Sequence, residues 1–350
     1  MPDMEFYRGK RVLLTGHTGF KGAWLAKILT DAGAEVTGAA IEPPTDPNLF
    51  TLSGVKNKMN SLRVDVRDRA ALEAAFAKAK PEIVLHLAAQ PIVRASYADP
   101  VYTYETNVMG TVNVCECVRK SGTVKSFLNV TTDKVYENRE WVWGYREDEP
   151  LDGYDPYSNS KSCSELVTHS YTKSFFNDLG VAVSTARAGN VIGGGDFAAD
   201  RIVPDCIRAV SAGKKIDVRN PNSTRPYQHV LEPLFAYLMI AQKQYEDPSY
   251  AGSYNVGPDE KDCITTGQLA EMFCRAWGKG AAWQTKNDHG PHEANFLKLD
   301  CSKLKSTFGW APHWSAETAV KKTVEWSKIW LKDPSKVPAC MEAQIREYLS

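Results

Sequence analysis

The chain has 350 residues, enough for one large domain or two modest ones with a substantial hydrophobic core. Its 42 lysines and arginines balance 42 aspartates and glutamates, which argues against nucleic acid as the main partner, because nucleic-acid-binding chains usually carry a basic excess. No apolar run reaches the length of a membrane span, and Met1–Lys10 lacks the apolar stretch of a signal peptide, so we expect a cytoplasmic protein whose 8 cysteines are reduced.

Apolar strand-like runs alternate with amphipathic helical runs along the first half of the chain. The strand candidates are Arg11–Thr15, Glu35–Ile41, Ser61–Val66, Ile83–Ala88, Ser126–Thr132 and Val181–Ala186. The helix candidates between them are Gly19–Ala32, Arg69–Lys80, Pro100–Lys120 and Tyr157–Leu179. Short apolar strands without strict alternation are typical of a parallel sheet buried on both faces. The sequence therefore predicts an α/β fold with a Rossmann-like, doubly wound parallel sheet.

The regular alternation of strand and helix candidates ends near residue 189, and glycine and proline become frequent after it. The helices expected there, Val230–Tyr245, Thr266–Trp277 and Glu317–Leu331, have no regular strand partners. We interpret this part as a smaller, interleaved C-terminal domain that binds substrate. The predicted boundaries are 1–188 for the first domain, with a returning segment near 228–258, and 189–227 plus 259–350 for the second.

A glycine-rich turn joins the first predicted strand to the first predicted helix. Glycines allow backbone amides to approach a pyrophosphate, whose charge is stabilised at a helix N-terminus. In this position the spacing G-x-x-G-x-x-G predicts a dinucleotide site, and an ordinary strand–helix turn is the alternative. The contacts expected from the turn are Gly16, His17, Gly19, Phe20, Lys21 and Gly22.

The residues that follow the turn favour NAD over NADP. Recognition of the ribose calls for an acid about twenty residues after the glycines. Glu42 fits that count but lies past the end of the second strand. The usual arginine clamp for the 2′-phosphate is missing, because no arginine occurs between Arg11 and Arg63. Asp65 and Val66 are candidate adenine contacts, and an ordinary strand end is the alternative.

Tyr157 and Lys161 form a Tyr-x-x-x-Lys pair, and residues four apart share one face of a helix. The start of this helix is predicted by Asp155 as its N-cap and Pro156 at its first position, and its end is predicted by Gly180 just beyond it. A lysine ammonium beside a phenol lowers the phenol's pKa, so the tyrosine could take a proton from a sugar hydroxyl. For this pair alone, two exposed helix residues would be the simpler interpretation.

Several of these strings together resemble the extended short-chain dehydrogenase/reductase family, and the resemblance covers nearly the whole chain. They are Thr15–Gly22, Leu87–Gln90, Asn107, Thr131–Tyr136 and Tyr157–Lys161. The resemblance implies that NAD is the cofactor and that the first domain holds it. It adds Ala88, Gln90, Tyr157 and Lys161 to the cofactor-binding residues.

Thr132-Asp133, followed by Val135-Tyr136, resembles the active-site segment of the nucleotide-sugar 4,6-dehydratases, in which glutamate usually stands where this chain has Lys134. Longer strings are similar to the branch of that family that acts on CDP-glucose: Glu140–Arg146, Tyr154–Lys161, Arg225–Val230 and Pro291–Asp300. The resemblance implies an internal redox cycle on CDP-glucose. C4 is oxidised, water leaves across C5–C6, and the hydride returns to C6.

Five residues are the candidate catalytic groups. Tyr157 would be the base for the C4 hydroxyl, Lys161 would stabilise its phenolate and bind the nicotinamide ribose, and Thr132 would donate to the C4 oxygen. Asp133 would be the acid for the C6 hydroxyl if burial keeps it protonated. Lys134 is either the C5 base, as a neutral amine, or a charged group that stabilises the enolate while Asp133 handles both protons. A solvated strand-end pair is the alternative for Asp133 and Lys134.

The second domain supplies the candidate substrate contacts. Arg225 is expected to bind the diphosphate, because a planar guanidinium can donate two parallel hydrogen bonds to phosphate oxygens. Asn190 and Arg201 are further candidates, and His292, with His289, is assigned to a loop near the nucleotide. No metal is expected, because neither histidine has a cysteine or acid at zinc spacing.

Other functions remain open at this point. One is dehydration of another nucleotide diphosphosugar, and a second is 4-epimerisation, which needs no acid and base after Thr132. A third is non-catalytic dinucleotide sensing, which has no use for the Tyr157–Lys161 pair. The family resemblance also implies that the helices at Pro100–Lys120 and at Tyr157 pack against their copies, giving a homodimer or tetramer.

Overall fold

The computed structural model describes residues 1–278, 280–286 and 295–350. Within them the strands are β1 (Arg11–Thr15), β2 (Glu35–Ala40), β3 (Asn60–Arg63), β4 (Ile83–His86), β5 (Ser126–Val130), β6 (Ala182–Arg187), β7 (Val191–Ile192), β8 (Ile216–Val218), β9 (Thr224–Pro226), β10 (Gln228–His229), β11 (Ser253–Asn255), β12 (Cys263–Thr265) and β13 (Trp283–Thr285).

The helices in the same residues are α1 (Phe20–Asp31), α2 (Leu49–Leu52), α3 (Arg69–Ala79), α4 (Val93–Ala98), α5 (Pro100–Tyr104), α6 (Gly110–Ser121), α7 (Pro156–Tyr171), α8 (Asn177–Leu179), α9 (Ile202–Ser211), α10 (Leu231–Glu246), α11 (Thr266–Trp277), α12 (Ser302–Phe308), α13 (Ala316–Lys332) and α14 (Val337–Leu349). Single π-helical turns join α5 to α6 and α7 to α8. None of these helices is long and apolar enough to cross a membrane.

Seven parallel strands form the central sheet in the order β11–β6–β5–β4–β1–β2–β3. Its inner strands are buried on both faces: Val12 and Leu14 of β1 pack into one core, and Leu13 between them packs into the other. Helices α1 and α10 cover the first face, and α3 and α6 cover the second. The predicted doubly wound parallel sheet is confirmed.

The predicted strands are all present, but several end earlier than the sequence suggested. β4 ends at His86 rather than Ala88, and β5 ends at Val130 rather than Thr132. At this point the Leu87 amide still reaches the Thr15 carbonyl at 3.3 Å, but the amides of Leu87 and Ala88 both bond to the Thr15 hydroxyl at 3.1 Å. The chain therefore turns into a crevice where apolar composition alone suggested a continuing strand.

One strand of the sheet is missing from the predicted set. β11 has only three residues, Ser253–Asn255, and pairs in parallel with β6 at the sheet edge. Two of its three residues are polar, so hydrophobic patterning gives it little signal. Its position is set by tertiary contacts: Asn255 accepts a 2.6 Å bond from the Tyr136 hydroxyl and donates to the Tyr145 carbonyl at 2.7 Å.

The C-terminal part forms its own small core beside the carboxyl ends of the sheet. Residues of β8, α9, α11 and α13 make up that core. Three short strand pairs, β7–β10, β8–β13 and β9–β12, hold its loops. In open parallel sheets, ligands bind in the crevice at the carboxyl ends of the strands, which is where this part lies against the sheet.

Candidate active site

A cavity of about 580 Å³ lies between the sheet and the C-terminal part. Many of the side chains singled out from the sequence reach it, although they come from distant segments. Those lining it are Phe20, Lys21, Thr132, Lys134, Tyr157, Asn190, Arg201 and Arg225. Thr132 and Lys134 follow β5, Tyr157 starts α7, and Asn190 follows β6, so the sheet order brings them together.

The glycine turn has the geometry of a phosphate cradle. Gly16 has φ +74°, a conformation that L side chains rarely adopt. A Cβ on Gly22 would lie 2.1 Å from the Gly16 carbonyl oxygen, so the helix packs on the turn only because that position is glycine. Gly19 is the N-cap of α1 and provides no side-chain cap, which leaves the first amides of the helix to a ligand.

His17 lies beneath this turn as a neutral side chain. It is fully buried, and burial lowers its pKa to about 4. Its Nε2 shares a 2.7 Å hydrogen bond with Ser61, and a Cβ on Gly38 would lie 2.4 Å from its ring. The neutral imidazole therefore links the turn to β2 by packing and to β3 by a hydrogen bond, and it carries no positive charge toward the phosphate.

The two acids considered for the adenosine are both paired with arginines. Asp65 accepts a 2.8 Å bond from Arg67, and this bond is the main reason that its pKa is lowered. Glu42 lies 2.8 Å from Arg63, and both side chains are exposed. β3 ends at Arg63, two residues earlier than Asp65, so Asp65 belongs to the loop after the strand.

Gln90 and Asn107 connect the cofactor side of the crevice to α7. The backbone amide of Gln90 donates to Asn107 Oδ1 at 2.8 Å, and Asn107 Nδ2 donates to the Ser160 hydroxyl at 2.9 Å. Ala88 packs against the turn, with its amide nitrogen 2.8 Å from where a Cβ on Gly16 would lie. These contacts fix the loop after β4 relative to the helix that carries Tyr157.

Tyr157 and Lys161 are both buried, as their shared helical face requires. Burial raises the pKa of Tyr157 to about 12, although a hydrogen bond with Thr132 and the charge of Arg201 act in the opposite direction. Burial lowers the pKa of Lys161 to about 8, and its Nζ donates to the Val130 carbonyl at 3.1 Å. The expectation that the protein itself holds the phenol's pKa down through Lys161 is therefore wrong.

Lys21 reaches the reaction side of the cavity although it belongs to the glycine turn. Burial and the positive charges of Arg201 and Lys161 lower the pKa of its ammonium to about 7. Its Nζ lies 5.9 Å from the ring centroid of Tyr237, a buried residue of α10. Sequence reasoning placed Lys21 only with the pyrophosphate, because the reach of a long side chain cannot be judged from spacing.

Asp133 has no exposed surface and lies behind the cavity wall. Its Oδ1 accepts from the Thr132 hydroxyl at 2.9 Å, and its Oδ2 accepts from Asn190 Nδ2 at 3.1 Å. The Lys134 Nζ lies 3.5 Å from Oδ1. Lys134 and Asp133 are therefore in contact, with the carboxylate buried and the lysine side chain partly exposed.

A buried ion pair behind the site was not anticipated from the sequence. Glu165 and Arg187 are fully buried with 2.9 Å between Arg187 Nη2 and Glu165 Oε2. Thr131, adjacent to Thr132, donates to Glu165 at 2.5 Å, and Arg187 donates to Tyr136 at 2.8 Å. Losing one partner of such a pair costs about 3–5 kcal/mol. The available signal was Glu165, four residues after Lys161 on the same helix.

The two arginines predicted to bind substrate both line the cavity. Arg201 donates to Asp196 at 2.9 Å, and Arg225 donates to the Thr224 carbonyl at 2.9 Å. His289 and His292 lie outside the described residues. Among the residues that the structure covers, no group of three histidine, cysteine or acidic side chains could hold a metal ion.

The parallel sheet, the glycine cradle and the Tyr157–Lys161 pair define a short-chain dehydrogenase/reductase of the extended type, with a cavity for a second ligand. A family model described as GDP-mannose 4,6 dehydratase matches residues 13–323, and the chain belongs to that family.

Individual relatives agree with this assignment. The chain is 47% identical to CDP-glucose 4,6-dehydratase of Salmonella typhimurium, covering 100% of this chain and 99% of that protein. Among solved structures, UDP-glucose 4-epimerase of Thermus thermophilus in complex with NAD matches with TM-score 0.79 and 25% identity, over 91% of this chain and 98% of the other. The dTDP-glucose 4,6-dehydratase of Bacillus anthracis in complex with NAD shares the fold, with TM-score 0.77 and 21% identity over 94% and 99% of the two chains.

Proposed function

We propose that this chain is a CDP-glucose 4,6-dehydratase, which converts CDP-glucose to CDP-4-keto-6-deoxyglucose and water with bound NAD. The observation that carries the proposal is the grouping of Tyr157, Thr132 and Lys134 at one cavity, with Asp133 behind its wall in contact with Thr132 and Lys134. Oxidation at C4 calls for one base, and loss of water across C5–C6 calls for further proton transfer. The full-length identity with the Salmonella protein supports CDP-glucose in particular.

NAD, when bound, accepts the hydride from C4 and donates it to C6. The chain would hold it with Gly16, His17, Gly19, Phe20, Lys21, Gly22, Asp65, Val66, Ala88, Gln90, Tyr157 and Lys161. The support is the cradle: positive φ at Gly16, the tight fit at Gly22 and the uncapped start of α1 suit a pyrophosphate. His17 contributes from below the turn, by shape rather than charge.

Tyr157 takes the proton of the C4 hydroxyl in this scheme. Its pKa of about 12 in the chain itself means that its phenolate needs additional positive charge. Lys161 would supply part of that charge, and bound NAD⁺ would add the positive charge of its ring. Thr132 is assigned to the C4 oxygen, and its single hydroxyl proton, which Asp133 Oδ1 accepts in this structure, turns to that oxygen when substrate is bound.

Elimination follows, because a C4 ketone acidifies the C5 hydrogen. Asp133 takes the C5 proton, and the electron pair of that bond passes through the enolate into the C5–C6 double bond. Hydroxide leaves C6 and receives the same proton as water, and C5 takes a proton from solvent when the hydride returns to C6. Lys134, whose Nζ lies 3.5 Å from Asp133 Oδ1, is assigned the charge that stabilises the enolate. This is the second of the two assignments that the sequence left open for Lys134.

The substrate's diphosphate is assigned to Arg225 and Arg201, which both line the cavity. His292 stays a prediction on the nucleotide side. The division into a cofactor domain, 1–188 with 228–258, and a sugar-nucleotide domain, 189–227 with 259–350, is part of the proposal. α10 and β11 pack on the large sheet, which supports assigning their segment to the first domain.

The substrate is tested by incubating the purified protein and NAD with CDP-, dTDP-, GDP- and UDP-glucose in parallel. We expect CDP-glucose to give a product with a C6 methyl group and a C4 ketone, and to be used most efficiently. Equal turnover of another nucleotide sugar would overturn the assignment of cytosine as the nucleobase of the substrate. A product that keeps its C6 hydroxyl would show a 4-epimerase instead.

We also propose that the enzyme is a cytoplasmic homodimer, or a pair of such dimers, assembled through the α5–α7 surface. Val101, Met109, Leu166 and Phe175 leave 40–66% of their surface exposed there, which is unusual for apolar side chains grouped on adjacent helices. Light scattering at micromolar concentration should report a dimer or tetramer. Replacing Val101 and Leu166 with glutamate should shift the protein toward the monomer, and a monomeric parent protein would contradict the proposal.

A further inference from the structure

Lys21 is a cation of the cavity wall that has no anionic partner in the part of the chain that the structure describes. Its Nζ lies 5.9 Å from the ring centroid of Tyr237, and its ammonium makes no hydrogen bond and no ion pair with any described residue. Charged groups enclosed by protein are usually paired. The missing partner therefore points to a charged ligand.

The two carboxylates whose charges act on Lys21 are Asp133 and Asp196, and both are occupied by other donors. Asp133 accepts one side-chain hydrogen bond on each of its oxygens. Asp196 accepts from Arg201 at 2.9 Å and from the Ala198 amide at 3.1 Å. The chain thus keeps its nearby anions for other groups and leaves Lys21 free to respond to what binds in the cavity.

Lys21 lies between two parts of the cofactor site. It is the second residue of α1, so its backbone belongs to the uncapped helix start that suits a pyrophosphate. Its side chain extends to where the charge of Lys161, the residue assigned to the nicotinamide ribose, acts on it. A dinucleotide held by both would therefore run past the Lys21 side chain.

The charges around Lys21 make it sensitive to the redox form of such a dinucleotide. Arg201 and Lys161 both repel its ammonium, and the pyrophosphate attracts it equally whether the cofactor is oxidised or reduced. The oxidised nicotinamide ring adds one more positive charge, whereas the reduced ring is neutral. A cation beside the ring therefore disfavours the oxidised form relative to the reduced form.

We propose that Lys21 tunes the bound cofactor: it favours the reduced dinucleotide over the oxidised one, and so favours hydride transfer from C4 of the sugar. The same charge opposes return of the hydride to C6, so Lys21 sets the balance between the two redox steps. The inference rests on the cofactor site of the proposed function and adds to it a role that a phosphate contact alone would not have.

The binding of three nucleotides separates this role from a phosphate contact. NAD⁺, NADH and ADP-ribose, which has the pyrophosphate but no nicotinamide, are titrated into the full-length protein freed of nucleotide. We expect Lys21→Met, which keeps the length of the side chain but not its charge, to lower the ratio of the NAD⁺ to the NADH dissociation constant by about threefold to tenfold. Lys21→Arg should keep the parent ratio within about twofold, because the charge remains.

Lys125→Met is the matched control. Exposed Lys125 also holds its Nζ over a tyrosine of α10, 5.2 Å from the ring centroid of Tyr245, but lies outside the cavity lining. It should leave all three dissociation constants unchanged, and thermal melting checks that each variant is folded.

Two results would overturn the proposal. If Lys21→Met weakens the binding of all three nucleotides by the same factor, or of none, the charge of Lys21 does not distinguish the redox forms. If Lys21→Arg lowers the ratio as much as Lys21→Met, the fit of the side chain matters and its charge does not.

Failure of the proposed function is seen separately, because the titrations contain no sugar. A parent protein that binds NAD but does not dehydrate CDP-glucose would overturn the proposed function, while the ratio of dissociation constants still decides the role of Lys21. With a sugar nucleotide that the parent converts, Lys21→Met should also hold a smaller fraction of its cofactor in the reduced form during turnover. A parent protein that binds neither dinucleotide would overturn both proposals.

Discussion

Tyr157→Phe is expected to abolish turnover at its first chemical step. The phenol is the group placed to take the C4 hydroxyl proton, beside Thr132 in the cavity wall. Losing a general base costs on the order of a hundredfold or more. No reduced-cofactor absorbance should appear when the variant is mixed with CDP-glucose, because oxidation at C4 itself is blocked.

Tyr250→Phe provides the matched control for this substitution. Tyr250 lies outside the cavity lining, with its ring packed 5.5 Å from Phe308. Its loss of a hydroxyl should leave the rate unchanged. If Tyr157→Phe still reduces bound cofactor at a near-normal rate, the tyrosine is structural and the assignment of the C4 base is wrong.

Lys134 gives the second large effect, and it distinguishes the two roles considered for it. With Lys134→Ala we expect C4 oxidation to continue and turnover to fall about a hundredfold, because the enolate loses its stabilising charge. Reduced cofactor should then accumulate. Lys134→Arg should keep more than about a tenth of the activity, because arginine retains the charge but has no accessible neutral form.

Loss of activity in Lys134→Arg would contradict the role of Lys134 as a charged group. If Lys134→Arg is as inactive as Lys134→Ala, a neutral lysine is the C5 base and the contact with Asp133 does not describe the working state. Lys243→Ala is a suitable control, because Lys243 pairs with Glu246 on exposed α10 surface, outside the cavity. It should leave turnover unchanged.

The features that the sequence predicted well are those encoded within one or two adjacent elements. The glycine turn and the caps of α7 depend on residues a few positions apart, and the structure has Asp155 accepting from the Ser158 amide at 3.0 Å with Pro156 at the first position. Buried β1 likewise follows from a continuous apolar run. Such local signals were enough to predict the sheet and its crevice.

The parts that the sequence did not predict depend on tertiary contacts. The full burial of Asp133 requires Gly189 and Asn190, which follow a different strand. The Glu165–Arg187 pair joins α7 to β6, and each residue alone looks like a charge on a solvated face. The pKa of Tyr157 depends on how much protein surrounds it, and a spacing of four residues to Lys161 says nothing about that.

The most direct test is to run the CDP-glucose incubation in deuterium oxide and to locate deuterium in the product by NMR. We predict one solvent-derived deuterium at C5 and a C6 methyl group whose third hydrogen comes from C4 of the same substrate. Starting from CDP-glucose labelled with deuterium at C4 in ordinary water should place that label at C6. A product with no solvent hydrogen at C5, or with the C4 label lost to solvent, would contradict the internal redox cycle.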